Sequence, residues 1–223
     1  MRYLRAVAVM VPLLMAGAAW AQPCCGPIST DGRRLASFLD QSGVDHLWES
    51  GWHVNWETGK KDRAHPGGKE AATHCSAFVA AMGKRLGIYV LRPPEHAQEL
   101  LANAQLAWLR DKGKTADWHP VASYVEAQTE ANRGRLVLAA FRNPDPHRPG
   151  HIAIIRPSDK DRASLDRDGP QETQAGETNA ISTTVASGFA HHKGAWVPGG
   201  GGGMRYYAHA IDWTAQAEPS PAR

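Results

Sequence analysis

Hydrophobic positions recur at helical spacing in four stretches of the chain and then give way to short apolar runs. Leu35, Phe38 and Leu39 mark a first helix, with Ser29, Thr30 or Asp31 available as its cap. Phe78, Val79, Met82 and Leu86 share one face of a second helix; Thr73 is its expected N-cap and Gly87 its stop, which puts Cys75 in the first turn. Ala97, Leu100, Leu101, Ala104 and Trp108 predict a third helix ending near Gly113, and Val121, Tyr124, Val125 and Gln128 a fourth ending before Gly134. Leu136 to Phe141 and Ile152 to Ile155 are continuous apolar runs closed by Asn143-Pro144 and Pro157, which is how buried strands read. Further strands are expected at Gln171 to Ala175, around Thr183 to Val185 and at Met204 to Ala210. Between Trp48 and Glu70 periodicity is lost among Gly, Asn, His and Lys, which predicts a long irregular loop. Helices lead and strands follow, so the expected class is α+β.

The first 21 residues read differently: Arg2 and Arg5 precede the apolar stretch Ala6 to Ala18, and Ala19-Trp20-Ala21 fits a small-x-small cleavage site. That layout is a secretory signal peptide, and the apolar run is too short for a comfortable membrane span. The expected organisation is therefore a signal peptide at 1–21, a linker at 22–32, one domain at 33–213 and a flexible tail at 214–223, with the five glycines Gly199 to Gly203 as a flexible loop. An exported chain, periplasmic or secreted, with no membrane span after cleavage is the reading. Arg2 and Arg5 belong to the leader, so 23 basic residues face 22 acidic ones in the remainder. A balance that close to neutral carries no case for nucleic acid.

Export permits disulfides, yet three cysteines cannot all pair within one chain. Cys24 and Cys25 are neighbours in what reads as a mobile N-terminus, whereas Cys75 stands alone in Thr73-His74-Cys75-Ser76-Ala77-Phe78-Val79. A cysteine in the first turn of a helix has its pKa lowered by the positive helix end, and the same N–H groups can bind an oxyanion. The base such a nucleophile needs is best supplied by His151, which opens an apolar strand and is thereby fixed at a sheet edge. Gln174 is the favoured third polar group to orient the imidazole, with Asn179 as the alternative. A catalytic pair of this kind calls for about 3–4 Å between sulfur and ring nitrogen. His74, about 100° around the helix from Cys75, is expected to face elsewhere. Trp52 and Trp56 are candidates for a cleft wall against sugar or peptide, and His191-His192 lacks partners at metal spacing, so neither metal nor cofactor is expected.

Cys75-Ser76-x-Phe78-Val79 followed 76 residues later by Gly150-His151 and an apolar strand, and then by a polar residue on the next strand, resembles the NlpC and CHAP families of papain-like cell-wall amidases and peptidases. The likeness runs from about Trp48 to Val185. It implies a helix carrying the nucleophile packed on an antiparallel sheet carrying the base, with residues 93–134 as a helical insertion. It implies hydrolysis of amide bonds in peptidoglycan stem peptides or at their sugar junction, by Cys75 and His151. The chain has His74 where those families commonly have Asp, and Ala77 where they commonly have Gly. Two rival readings stand beside this one. The first is a non-catalytic exported module that binds cell wall or protein, with Cys75 tied to Cys24 or Cys25; the second is a general cysteine protease with the same chemistry on peptide substrates.

Overall fold

Two strands made only of buried residues, β4 (Leu136–Phe141) and β5 (His151–Ile155), form the centre of a sheet whose two faces are both covered. The computed structural model describes residues 23–67, 73–200 and 202–217. The expected leader at 1–21 and residues 218–223 of the expected tail lie outside the described residues. Seven further elements flank the central pair on the N-terminal side: α1 (Thr30–Asp40), β1 (Trp52–Val54), β2 (Lys61–Ala64), α2 (Cys75–Arg85), α3 (Leu101–Asp111), β3 (His119–Val121) and α4 (Tyr124–Asn132). After β5 come α5 (Arg162–Asp168), β6 (Gln171–Gln174), β7 (Ala180–Thr184), the single turn α6 (Val185–Gly188) and β8 (Arg205–His209). The main sheet is antiparallel throughout, in the order β3-β8-β4-β5-β6-β7, and β1 and β2 form a separate hairpin. The protein is an α+β fold.

Side-chain alternation in β4 and β5 divides the core in two. Leu138 pairs with Ile154 and Ala140 with Ile152, and these residues pack with Phe78, Val79 and Met82 of α2. Ala139 pairs with Ala153 and Val137 with Ile155, and these pack with Ala127 and Ala131 of α4, Leu165 of α5 and Val185 of α6. Every residue from Cys75 to Gly83 is buried, so α2 is enclosed rather than lying on the surface. No described helix is long and apolar enough to cross a membrane.

Several expectations need correction. The stretch read as an irregular loop contains the β1–β2 hairpin; β2 is exposed along its whole length, so it carries no apolar alternation for a sequence reading to detect. Thr73 does not cap α2, which starts at Cys75 with His74 in the cap position and no side-chain cap hydrogen bond. The residues from Pro23 to Gly32 are not a loose linker. The Cys24 N–H donates to the Lys160 carbonyl, Cys25 is buried, and α1 already begins at Thr30 with the Ser29 hydroxyl as its cap. Two glycines of the expected flexible loop are also packed: at Gly200 (φ +79°) a Cβ would lie 2.4 Å from the Tyr124 ring, and the Gly203 N–H donates to the Gly194 carbonyl.

Asn132, the last residue of α4, ties these parts together. Its amide nitrogen donates to the carbonyls of Gly26 and Ser158, and its amide oxygen accepts from the Ser158 N–H and the Gln128 side chain. Removal of a buried group with four partners leaves each of them unsatisfied, which typically costs about 1–3 kcal/mol per stranded group before relaxation. We expect Asn132→Ala to lower the urea midpoint by an amount equivalent to roughly 2–4 kcal/mol, with the m-value unchanged. A loss below about 0.5 kcal/mol, within the range of ordinary surface substitutions, would contradict this role.

Candidate active site

His151 is placed by the tight entry to β5, because a Cβ at Gly150 would meet the Phe141 carbonyl oxygen at 2.2 Å and only glycine fits there. The imidazole is buried. Its Nε2 lies 2.6 Å from the Gln174 Oε1 on the neighbouring strand, and the Gln174 amide nitrogen donates to the Thr178 carbonyl, which turns the oxygen toward the ring. This network assigns the proton to Nε2 and leaves the lone pair on Nδ1. Phe189 meets the ring edge-on at 4.5 Å between centroids, and His192 stacks on it at 5.1 Å and 11°. Burial, helped by the nearby His192, brings the His151 pKa down to about 3 despite the hydrogen bond it donates to Gln174. The imidazole is therefore neutral.

Cys75 opens α2, is buried, and is not in a disulfide; Cys24 and Cys25 are bonded to each other. The bridge from Cys75 to Cys24 or Cys25 that the rival module reading required is thus absent. The polar groups around the sulfur, the N–H groups of Ile152, Ser76 and Cys75 and the Ser76 hydroxyl, favour the thiolate, yet burial outweighs them and pushes the thiol up to about 11. The expected lowering of this pKa is reversed. No hydrogen bond joins the sulfur to the imidazole, although the helix that Cys75 opens packs against β5. Strand alternation explains this, since Ile152 points to the α2 side of the sheet while His151 shares its face with Ala153 and Ile155.

A cavity of about 270 Å³ beside the imidazole is lined by His151, Gln174, Arg148, Glu177 and His192 among others. A second, of about 500 Å³, is lined by Trp52, His53, His65 and His74, and Thr73 borders both. Cys75 itself lines neither. His74 faces away from the thiol and donates through Nε2 to the Trp52 carbonyl. Trp52 is in a cavity wall, whereas Trp56 lies under Lys84, lends its carbonyl to the Trp48 indole and lines no described cavity. Asn179 does not approach His151: its amide nitrogen donates to the carbonyls of Val44 and Leu47 and its oxygen accepts from Gly176, closing the β6–β7 turn. Of the two polar candidates, Gln174 holds the imidazole.

Three groups escaped the sequence reading. In the sequence His192 offers itself only as a metal ligand, and Phe189 has no pattern to mark it. Glu172 is fully buried with no hydrogen-bond partner for either oxygen among the described residues, and burial raises its pKa well above the usual range, so it is held neutral. Its position two residues before Gln174 was the available signal, because both must then face the same way. Among the described residues no group of three or more His, Cys, Asp or Glu is arranged to hold a metal. No protein-family model and no curated protein matches the chain.

The two perturbed groups yield opposite tests. His151 in the unfolded chain takes up a proton near its ordinary 6.5 but resists until about 3 when folded, so stability is full above pH 6.5 and is lost as pH falls toward 3. We expect a loss of about 3 kcal/mol between pH 7 and 4 that is largely absent in His151→Gln; an identical acid slope in both proteins would contradict the assignment. The thiol test concerns Cys75: a pKa of about 11 leaves roughly one thiolate in ten thousand at pH 7. Iodoacetamide should label native Cys75 at least about 100-fold more slowly than the same thiol in urea, with the rate climbing through pH 10. Rapid labelling that is flat between pH 6 and 8 would show an exposed or acidic thiol instead.

Proposed function

We propose that this protein is a cysteine hydrolase of amide bonds, exported and acting on peptidoglycan, either on stem-peptide bonds or at the sugar junction. The observation that carries the reading is an unbridged thiol at the start of a helix that packs on the strand whose first residue is a histidine oriented by a glutamine. The resemblance to the NlpC and CHAP families supplies the substrate class. Both groups rest neutral, so the thiol is activated by the base as it reacts, not as a preformed ion pair. Sγ attacks the carbonyl carbon and its proton passes to Nδ1 of His151, for which the Sγ–Nδ1 contact must first close. The oxyanion lies at the backbone N–H groups of Cys75 and Ser76. The tetrahedral species expels the amine, which takes the proton from the imidazole and leaves a thioester on Cys75. Water, giving its proton to the same Nδ1, then releases the acid and the thiol. Gln174 accepts from Nε2–H throughout, so that Nδ1 is the atom that takes up and returns the proton.

Digestion of purified sacculi, followed by chromatography of the released muropeptides, tests this directly. Wild-type protein should release them; Cys75→Ala and His151→Ala should lose activity by roughly three orders of magnitude or more, and Gln174→Ala by roughly 10- to 100-fold, with folding retained. Undiminished release by Cys75→Ala would remove the hydrolase reading. Casein turnover without muropeptide release would favour the general protease.

A further inference from the structure

The cavity beside His151 has an unusual lining. No Leu, Ile, Val, Met, Phe, Tyr or Trp side chain borders it; its polar walls rest on a floor that includes Gly150, Gly176 and Gly188. Ligand sites for apolar groups are lined predominantly by hydrophobic and aromatic side chains, so this cavity is built for a small polar segment. Its strongest donor is Arg148. Among the described residues every arginine apart from Arg142 and Arg148 has an ion pair, a hydrogen bond or an aromatic ring as partner. Arg142 lies on another cavity, whereas Arg148 lies on this one.

The guanidinium is unpaired, but its backbone is fixed. The Arg148 N–H donates to the Asp145 carbonyl, the Arg148 carbonyl accepts from the Asn103 amide, and the following Pro149 carbonyl accepts from Asn143. Arg148 is exposed, and a planar five-donor fork at the cavity that holds the candidate base matches one partner chemistry best, a carboxylate bound through paired hydrogen bonds. His192, at the same wall, adds a further ring nitrogen to the lining. Glu177 is the one carboxylate on the cavity; it stands 3.9 Å from His191 and is itself half-exposed. We propose that Arg148 is a specificity residue that pairs with a carboxylate carried by the substrate close to the scissile amide. This rests on the hydrolase reading above and narrows it, since an apolar peptide would find nothing to bury in this cavity.

The test uses one peptidoglycan fragment in two forms, its stem-peptide carboxylates free or converted to carboxamides. Wild-type protein should process the free acid with a kcat/KM at least about tenfold higher, through KM. In Arg148→Gln that ratio should fall to near one, and Arg148→Lys should restore part of it because charge returns without the fork; circular dichroism checks that each variant is folded. Equal turnover of both forms by wild type, or an undiminished preference in Arg148→Gln, overturns the subsite while leaving the hydrolase reading intact. If wild type processes neither form, the hydrolase reading fails, and calorimetric titration with the same two fragments decides the subsite. Tighter binding of the free acid that depends on Arg148 supports it; equal or undetectable binding overturns it.

Discussion

Burial of β4 and β5 on both faces is the constraint from which the rest of the site follows. A strand pair with helices against each face has no water to offer its polar groups, so whatever opens the strand must find partners in the protein. Gly150 lets the chain enter against the Phe141 carbonyl, and His151 finds Gln174. The same enclosure that fixes these groups also removes their charges.

Magnitudes show why. A helix start favours a nearby negative charge by about 0.3–1 kcal/mol at the surface and up to about 2 kcal/mol when partly buried. Raising the thiol from 9.0 to about 11 corresponds to roughly 3 kcal/mol against the thiolate, so desolvation exceeds what the helix end supplies. The resting centre is accordingly a neutral thiol and a neutral imidazole, and burial likewise disfavours the charge of Glu172 on β6. Glu172 is disfavoured in ionised form by the same enclosure, and its stabilising contribution is present in acid and lost as pH rises above the ordinary glutamate range. His151 has the opposite dependence, so between the ordinary glutamate and histidine ranges the two partly offset each other.

The elements that bury a patterned face were legible in the sequence. Leu35 and Leu39 gave α1, Phe78 to Met82 gave α2, and the apolar runs gave β4 and β5, because burial of those side chains is what forms the elements. Elements without such a face were not: β2 is solvent-exposed, β3 has three residues, and the α5 turn leaves only Leu165 buried. Gln174 beside His151 could be anticipated, since the two lie on strands that follow one another in sequence and pair in the sheet. The sign of the Cys75 shift could not be, because a local reading sees the helix start and not the sheet pressed against it. Nor could the stacking of His192, which approaches from a turn some 40 residues downstream of His151 and belongs to no periodic pattern.

The central claim is that the sulfur at the start of α2 forms a covalent intermediate with the help of the imidazole at the start of β5. Intact-mass spectrometry of wild-type protein, mixed with peptidoglycan fragments and quenched in acid at short times, measures that species directly. The account predicts a transient mass increase equal to the acyl part of the fragment, located on Cys75 after digestion and absent from His151→Ala. Release of cleaved fragments with no adduct on Cys75 at any time, or an adduct that forms equally well without His151, would contradict it.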